Sequence, residues 1–448
     1  MSAVLSYLVD LVWGSALVTL LFLGGVYLLL LSKGKALTYF GLGFRLLFGM
    51  SEFGHDKGSK GQLSHFKALS NALAATVGLG NIAGVAVAIS QGGPGSLFWM
   101  WVSGFVGMNT KFFESTLSLL FRDTDANGEI QGGPMYYIPK VFKGKFGIYL
   151  GIFFAIVGLI GTQAMFQTNQ LAGYLSSEAS VPTWLTGFVM ATATAIVLFG
   201  GLKRIAQVTS TIVPAMCFLY VGACLAVLGS NFDKIPEVFM LIFTEAFSFS
   251  AVGGGVGGYA IVHAFKIGIK RGAFSNEAGT GTAPMAHGNA KTSEPVSEGL
   301  VAMLGPFIDT VIVCTMTALV ILTSIDLSGL SGDVEGVSLT ARAFKDSLGN
   351  VGVFILGVSI FFFSFSTMIG MANYNEKCWV YLFRDNRFLN RKTFVFVFCT
   401  MLFLGAVGSI TDVVNFIDLG FGLMAYPNML AVLVGAPLVI KELRLKLK

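Results

Sequence analysis

Two short stretches carry residue types that fit poorly in plain membrane helix. "TVGLGNIAG" (76–84) sets Gly78, Gly80, Gly84 and Asn81 inside an apolar run. "SNEAGTGTAP" (275–284) gathers Ser275, Asn276, Glu277, Thr280 and Thr282 around Gly279, Gly281 and Pro284. Glycine in a helix interior costs ~1 kcal/mol relative to alanine. A polar side chain at membrane depth needs a partner, because an unsatisfied group there is expensive. Close packing through small residues explains the glycines, but it serves Asn81 less well. The other reading is an unwound helix whose bared N–H and C=O groups meet a solute.

An amino acid zwitterion matches such groups. Its carboxylate calls for N–H donors at the positive end of a half-helix, which Gly78, Gly80 and Asn81 supply. Its ammonium calls for oxygens: the carbonyls of Thr76 or of Phe274, Ser275 and Asn276, or the amide of Gln167. That amide lies in "GLIGTQAMFQTNQLAGYL" (158–175), beside Gln163, Thr168, Asn169 and Gln170. So many amides in one span imply an internal face, with interhelical hydrogen bonding as the alternative. Glu277 is read first as pinning the unwound loop, through Arg271 or backbone N–H groups, ahead of a direct substrate or proton role. Glu114 pairs with Lys111 three residues earlier. Asp309 is a gate or packing ligand within an apolar helix; Glu245 and Asp412 complete the acidic candidates.

The elements that position these residues are membrane helices. Of 448 residues 54% are hydrophobic and 12% charged, with a mean hydropathy of +0.75. Soluble domains carry about a quarter charged residues, so this chain lacks the polar surface for water. A span needs ~20 apolar residues, and eleven stretches qualify: 8–31, 66–91, 95–121, 147–179, 184–201, 205–229, 246–285, 296–325, 350–376, 393–409 and 412–438. The N-terminal run has no basic region before it and reads as a retained span rather than a signal peptide.

Basic residues orient the bundle by the positive-inside rule. With the N-terminus outside, the cytoplasmic segments hold Lys33, Lys35, Arg45, Lys57 and Lys60, then Arg122, Lys140, Lys143 and Lys145. Lys203 and Arg204 follow, then Lys377, Arg384, Arg387, Arg391, Lys392 and the tail "KELRLKLK". Opposite loops are short or acidic, with Asp326, Asp333 and Glu335. "KIGIKRG" (266–272) is either an inner loop or part of one interrupted span.

The two broken segments stand five spans apart. Glycine-interrupted segments at corresponding positions of two halves point to a transporter binding site, here with inverted topology because five is odd. Other machinery has no signature. There is no GxxxxGK[ST] loop, HExxH motif or GxSxG elbow, the histidines His55, His65, His263 and His287 are scattered, and the five cysteines read as small buried hydrophobes. "GEIQGGPM" reads as a cytoplasmic turn rather than a phosphate cradle. No cofactor and no nucleic acid is expected.

"ALAATVGLGNIAGVAVAISQGGPGSLFWMW", "KRGAFSNEAGTGTAPMAHG", "GEIQGGPMYYI" (128–138) and "NYNEKCWVYLF" (373–383) resemble the signature stretches of the alanine or glycine:cation symporters, from about residue 64 to the last span. The resemblance implies an all-α, eleven-span membrane protein with the ten-helix inverted-repeat core of leucine-type sodium symporters. Residues 1–65 would be an extra span and basic linker, 66–229 and 230–438 the two five-helix repeats, and 439–448 a basic tail. It implies uptake of a small neutral amino acid with sodium or protons across a bacterial plasma membrane. It strengthens Gln167 as a solute contact. It also places a sodium ion between the backbone near Ala75, Thr76 and Gly78 and the hydroxyls of Ser366 and Thr367, in a span where Ser364 lies nearby and hydroxyl back-bonding is the alternative. Leu79, Thr280 and Thr282 depart from the family pattern, so polarity is expected to be redistributed between the two breaks. A channel with a glycine-lined pore is the rival from another class, and an exchanger or proton carrier using Glu277 the rival on the same scaffold.

Overall fold

The computed structural model describes residues 2–51, 53, 61–124, 128–247, 257–326, 336–384 and 388–447. His55, Lys57, Lys60, Asp333, Glu335 and Arg387 lie outside them, as does part of the expected span 246–285. Among the described residues almost all regular structure is helical; one two-stranded antiparallel pair joins Asp123–Thr124 to Ile130–Gln131.

Six helical stretches are individually long and apolar enough to cross a membrane: Val4–Leu31, Gly144–Ala179, Gly201–Ser230, Pro295–Ser324, Val337–Phe383 and Ile410–Lys446. A seventh forms if His65–Thr76 and Leu79–Gly92 are taken as one span bent by 58°. Ser96–Leu120, Thr183–Leu198, Gly257–Asn276 and Arg391–Val407 occupy the places of the other expected spans.

Two expected continuous spans are interrupted, and a third helix turns just before its expected span begins. Gly144–Gly161 and Met165–Ala179 are separated at 162–164. Val337–Phe383 turns at Gly349, whose φ is 60°, one residue before the expected span 350–376, which is itself continuous helix. Pro295–Ala302 and Thr315–Ser324 are joined through Leu304–Pro306 and a π-helical stretch, Phe307–Cys314. "KIGIKRG" lies within the helix Gly257–Asn276, which settles its alternatives in favour of the interrupted span.

His65–Thr76 is held between Gly201–Ser230 and Val337–Phe383, and all but two of its residues are buried. Ser96–Leu120 packs along Gly257–Asn276 and Pro295–Ala302. Ile410–Lys446 runs beside Gly144–Gly161 and the two N-terminal helices Ser2–Val12 and Ser15–Leu31, and Trp13 Nε1, between those two, donates to Asp418 O at 2.8 Å. One end of the bundle gathers Lys35, Arg122, Lys377, Arg391 and Lys446, with Lys446 on Glu294 at 2.8 Å and Lys35 on Leu447 O at 2.6 Å. This basic end contains the start of the first broken helix and the finish of the second.

Candidate functional site

The first break follows Thr76. Val77 and Gly78 are extended, with Gly78 at φ −150° and ψ −155°, and the chain re-enters helix through a 3-10 turn, Leu79–Asn81. Any residue adopts that dihedral pair, so Gly78 is required by space. A Cβ there would collide with the Thr367 hydroxyl and stand 3.6 Å from Gln167 Nε2. Gly84 does not interrupt anything: it lies inside Ala83–Gly92, and a Cβ on it would meet nothing within 4 Å.

The second break has the opposite cause. Gly257–Asn276 ends, and Glu277, Gly279 and Gly281 all take left-handed backbone, with φ of 56°, 88° and 86°. A short helix, Ala283–His287, then continues with Pro284 in its first turn. Glycine suits such dihedrals and glutamate does not. Glu277 is pinned by the two threonines that depart from the family pattern. Thr280 Oγ1 donates to its carbonyl at 2.8 Å, and Thr282 Oγ1 donates to its Oε2 at 2.5 Å.

A buried hub joins the two breaks. Asp309, on the π-helical stretch, accepts from Asn81 Nδ2 at 2.6 Å and from Ser275 Oγ and Thr310 Oγ1 at 2.8 Å each. Asn276 Nδ2 donates to Thr310 Oγ1 at 3.2 Å, while Asn81 Oδ1 accepts from Gly78 N at 2.8 Å. A π-helical insert rotates the residues around it, and such inserts recur at functional sites. Below the hub, Glu114 Oε1 accepts from Gly279 N at 2.5 Å and from Asn428 Nδ2 at 3.1 Å. Tyr137 donates to Asn428 Oδ1. Lys111, fully buried, is the cation in electrostatic reach of Glu114, Glu277 and Asp309. It takes the part expected of Arg271, which instead lines a cavity with Asp418. Among the described residues no Lys111–Glu114 ion pair closes within 4 Å, so that expected pair acts at longer range. Glu245 is exposed, and Asp412 sits in the first turn of the last helix, where Ser409 caps by accepting from Asp412 N and donating to Asp412 Oδ2.

A cavity of about 30 Å³ lies between the breaks. Seven expected site residues line it: Ala75, Thr76, Gly80, Gln167, Phe274, Ser275 and Glu277. Gly78, Asn81 and Asn276 stand behind it, holding the breaks in shape through the bonds just given. Gln167 Oε1 accepts from Leu79 N at 3.3 Å. Gln163, in the 162–164 interruption, also lines the cavity, and its Oε1 is buried with no hydrogen-bond partner. Phe166, Met371, Ile417 and Phe421 complete the walls. Sequence reasoning missed these four because an aromatic or aliphatic side chain in a membrane span looks the same whether it faces a cavity or the core.

Two larger cavities lead away from the basic end. One of about 330 Å³ shares Gly80, Phe166, Phe274 and Ile417 with the central cavity, so the two phenyl rings and Ile417 form the partition between them. Another of about 690 Å³ lies beyond, lined by Tyr174, Glu178, Arg342 and Lys345. Of the remaining amides, Gln170 faces both larger cavities and Asn169 Nδ2 ties down Gly405 O and Gly408 O at 2.9 Å each.

The expected cation position is at the carbonyl end of His65–Thr76, where the last carbonyls of a helix lack intrahelical partners and the dipole is negative. Thr367 Oγ1 is buried against Gly78 there without a hydrogen-bond partner, and Ser364 Oγ, earlier in the same helix, is also buried and unpartnered. Ser366 Oγ is occupied, donating to Phe363 O at 3.0 Å. Gly370 lets the two helices close, since a Cβ on it would stand 2.5 Å from Ala75 N. An orphaned hydroxyl beside the carbonyl end of a helix fits a hard cation such as sodium.

Comparison with known proteins follows the same lines. The sodium:alanine symporter family matches residues 1–445. A sodium/alanine symporter of Methanococcus maripaludis is 42% identical, over 96% of this chain and 94% of the relative. A Bacillus subtilis protein described as a probable sodium/glutamine symporter is 33% identical, over 97% and 88%. Among solved structures, MhsT in complex with L-phenylalanine superposes with a TM-score of 0.55, covering 87% of this chain and 100% of that one at 16% identity, which is a likeness of fold.

Proposed function

The chain belongs to the sodium:alanine symporter family, a family of membrane transporters rather than enzymes, and we propose that it imports a small neutral amino acid of the alanine or glycine class with sodium, by alternating access. We read eleven spans, with the N-terminus outside, the basic end in the cytoplasm and spans two to six inverted relative to seven to eleven. The observation that carries the substrate reading is the cavity of about 30 Å³ between the two breaks, walled by Phe166, Phe274, Met371 and Phe421. A cavity of that size holds only ~2 waters, so a substrate enters by displacing these walls slightly, which favours the smallest side chains. Each extra methylene changes binding by ~1–3 kcal/mol.

Within that cavity the substrate ammonium meets Gln163 Oε1, an acceptor otherwise without a partner, and the carbonyl side of Ser275. The carboxylate meets the start of the outer half-helix at Gly80. Sodium sits behind the substrate, between the Thr367 hydroxyl and the backbone of Ala75, Thr76 and Gly78. Its entry down a 100 mV potential releases ~2.3 kcal/mol, available for concentrating the amino acid without ATP. Glu277 also lines the cavity, which makes proton coupling the second reading.

Proteoliposomes loaded without sodium test both. Labelled alanine and glycine should accumulate when a sodium gradient is imposed. Uptake indifferent to sodium and driven by a pH gradient would overturn the sodium reading in favour of the proton one.

A further inference from the structure

The two broken helices also meet at the basic end, far from the cavity. Glu298, in the first turn of Pro295–Ala302, is fully buried, and each of its carboxylate oxygens is taken by a different imidazole. His65 Nδ1, from the first residue of the first broken helix, bonds Oε2. His287 Nδ1, from the last residue of the second, bonds Oε1 at 2.5 Å. A carboxylate accepts, so both rings present Nδ1–H to it. The backbone repeats the join: Gln62 N and Leu63 N donate to Asn289 O at 2.8 and 3.1 Å, and Lys291 N donates to Leu63 O at 2.7 Å. Arg122 then donates to Ala290 O and Thr292 O at 3.0 and 2.8 Å. The opposite halves, Ala83–Gly92 and Gly257–Asn276, also touch, with Ile267 packed on Gly92 and His263 Nε2 3.1 Å from Gln91 O, but no buried carboxylate ties them among the described residues, and the 330 Å³ cavity opens beside Gly84, Val87 and Arg271.

We propose that Glu298 is a positioning residue for transport: its carboxylate, shared between His65 and His287, holds the cytoplasmic ends of both broken helices together, and opening the site to the cytoplasm requires one of the two imidazoles to leave. The inference rests on the alternating-access reading above. Burial makes the join directional, because the carboxylate keeps its partners only while both half-helices stay docked. The central cavity is thereby closed on the side where Ala283–His287 and residues 62–64 lie, and the larger cavities remain on the other side.

The chain contains its own reporter. Cys378 is buried with its Sγ 3.9 Å from Met285 Sδ, on the short half-helix that ends at His287. Cys314 is buried in the Asp309 hub, its Sγ 3.3 Å from both Asn81 Nδ2 and Ser275 Oγ. The full chain in liposomes is treated with a membrane-permeant maleimide and the modified cysteines are mapped by peptide mass. Glu298→Gln replaces one acceptor oxygen with a donor that faces an imidazole N–H, so Cys378 should react about tenfold faster than in the parent while Cys314 stays protected. A parent-like rate at Cys378 overturns the proposal. If Cys314 also reacts, the variant has loosened as a whole, and His287 decides: His287→Leu should expose Cys378 alone, and His287→Asn, which keeps an N–H donor near the Nδ1 position, should restore protection. Equal rates in those two variants overturn it as well. Labelling needs no net uptake, so failure of the sodium reading leaves this test intact, and failure of this test leaves the sodium reading intact.

Discussion

The two breaks look alike in sequence, each with glycines beside an asparagine, yet they are built on different physics. In the first, the backbone is ordinary and the space is scarce: Gly78 is extended and pressed against Thr367 and Gln167. In the second, Glu277, Gly279 and Gly281 follow each other through left-handed dihedrals. The first break is therefore a contact surface, and the second a bent frame braced by Thr280, Thr282, Glu114 and Asn428. Ligand chemistry and fold stability should separate along that line.

The sharpest way to break the comparison is Gly78→Ala. Alanine adopts φ −150° freely, so the backbone is unstrained, and the protein should fold with a melting temperature lowered only by relief of the Thr367 contact and no more than in Gly279→Ala. Its methyl group occupies the space between the carbonyl end, Thr367 and Gln167, and a displacement of ~1 Å at a reacting or binding centre can cost ~100-fold. Sodium-driven alanine uptake in proteoliposomes should fall by about that factor. Gly84→Ala, where nothing lies within 4 Å, should transport like the parent. Loss in both variants would erase the distinction between a needed and an incidental glycine.

Gly279→Ala should show the reverse pattern. Its φ of 88° disfavours a Cβ, and that atom would also approach Leu21 Cδ2 to 2.5 Å and Met429 Sδ to 2.9 Å. Strained dihedrals of this kind cost ~1–3 kcal/mol, so thermal unfolding in detergent should shift down by a few degrees. Sodium half-saturation in the surviving protein should change little. A melting temperature equal to the parent's would mean that the second break is as tolerant as the first, against the frame described above.

The same contrast explains what could be read from the chain alone. Hydropathy placed helices close to their observed positions, and the mismatch of glycine and asparagine with an apolar run located both breaks. The partner of Glu277 was not legible, because Lys111 and Arg271 are equally cationic in sequence and only packing turns one toward the Glu114–Glu277–Asp309 layer and the other toward Asp418. The role of Asp309 was hidden for a related reason: it depends on π-helical winding of 307–314, which 3.6-residue periodicity does not anticipate. The interruption at 162–164 falls in a stretch whose amides read as the internal face of one continuous span. Phe166, Met371, Ile417 and Phe421 carry no signal that separates a cavity wall from a core.

Thr367 and Ser366 offer the finest test, since adjacent hydroxyls on one helix separate ion binding from helix chemistry. Thr367 Oγ1 is buried, unpartnered and set against the first break. Removing it in Thr367→Ala should raise the sodium half-saturation about tenfold, the equivalent of ~1.4 kcal/mol, with a smaller change in alanine half-saturation measured at saturating sodium. Ser366 Oγ already donates to Phe363 O one turn back, 3.0 Å away, and also approaches Met216 Sδ at 3.1 Å. Its hydroxyl is satisfied by its own helix, so Ser366→Ala should move the sodium half-saturation by less than ~3-fold, within the ~0.5–1.5 kcal/mol net worth of one hydrogen bond. If Ser366→Ala equals or exceeds Thr367→Ala, the ion recruits Ser366 by breaking that back-bond. The cation site then centres on the adjacent hydroxyl pair rather than on Thr367 and the backbone of the first break.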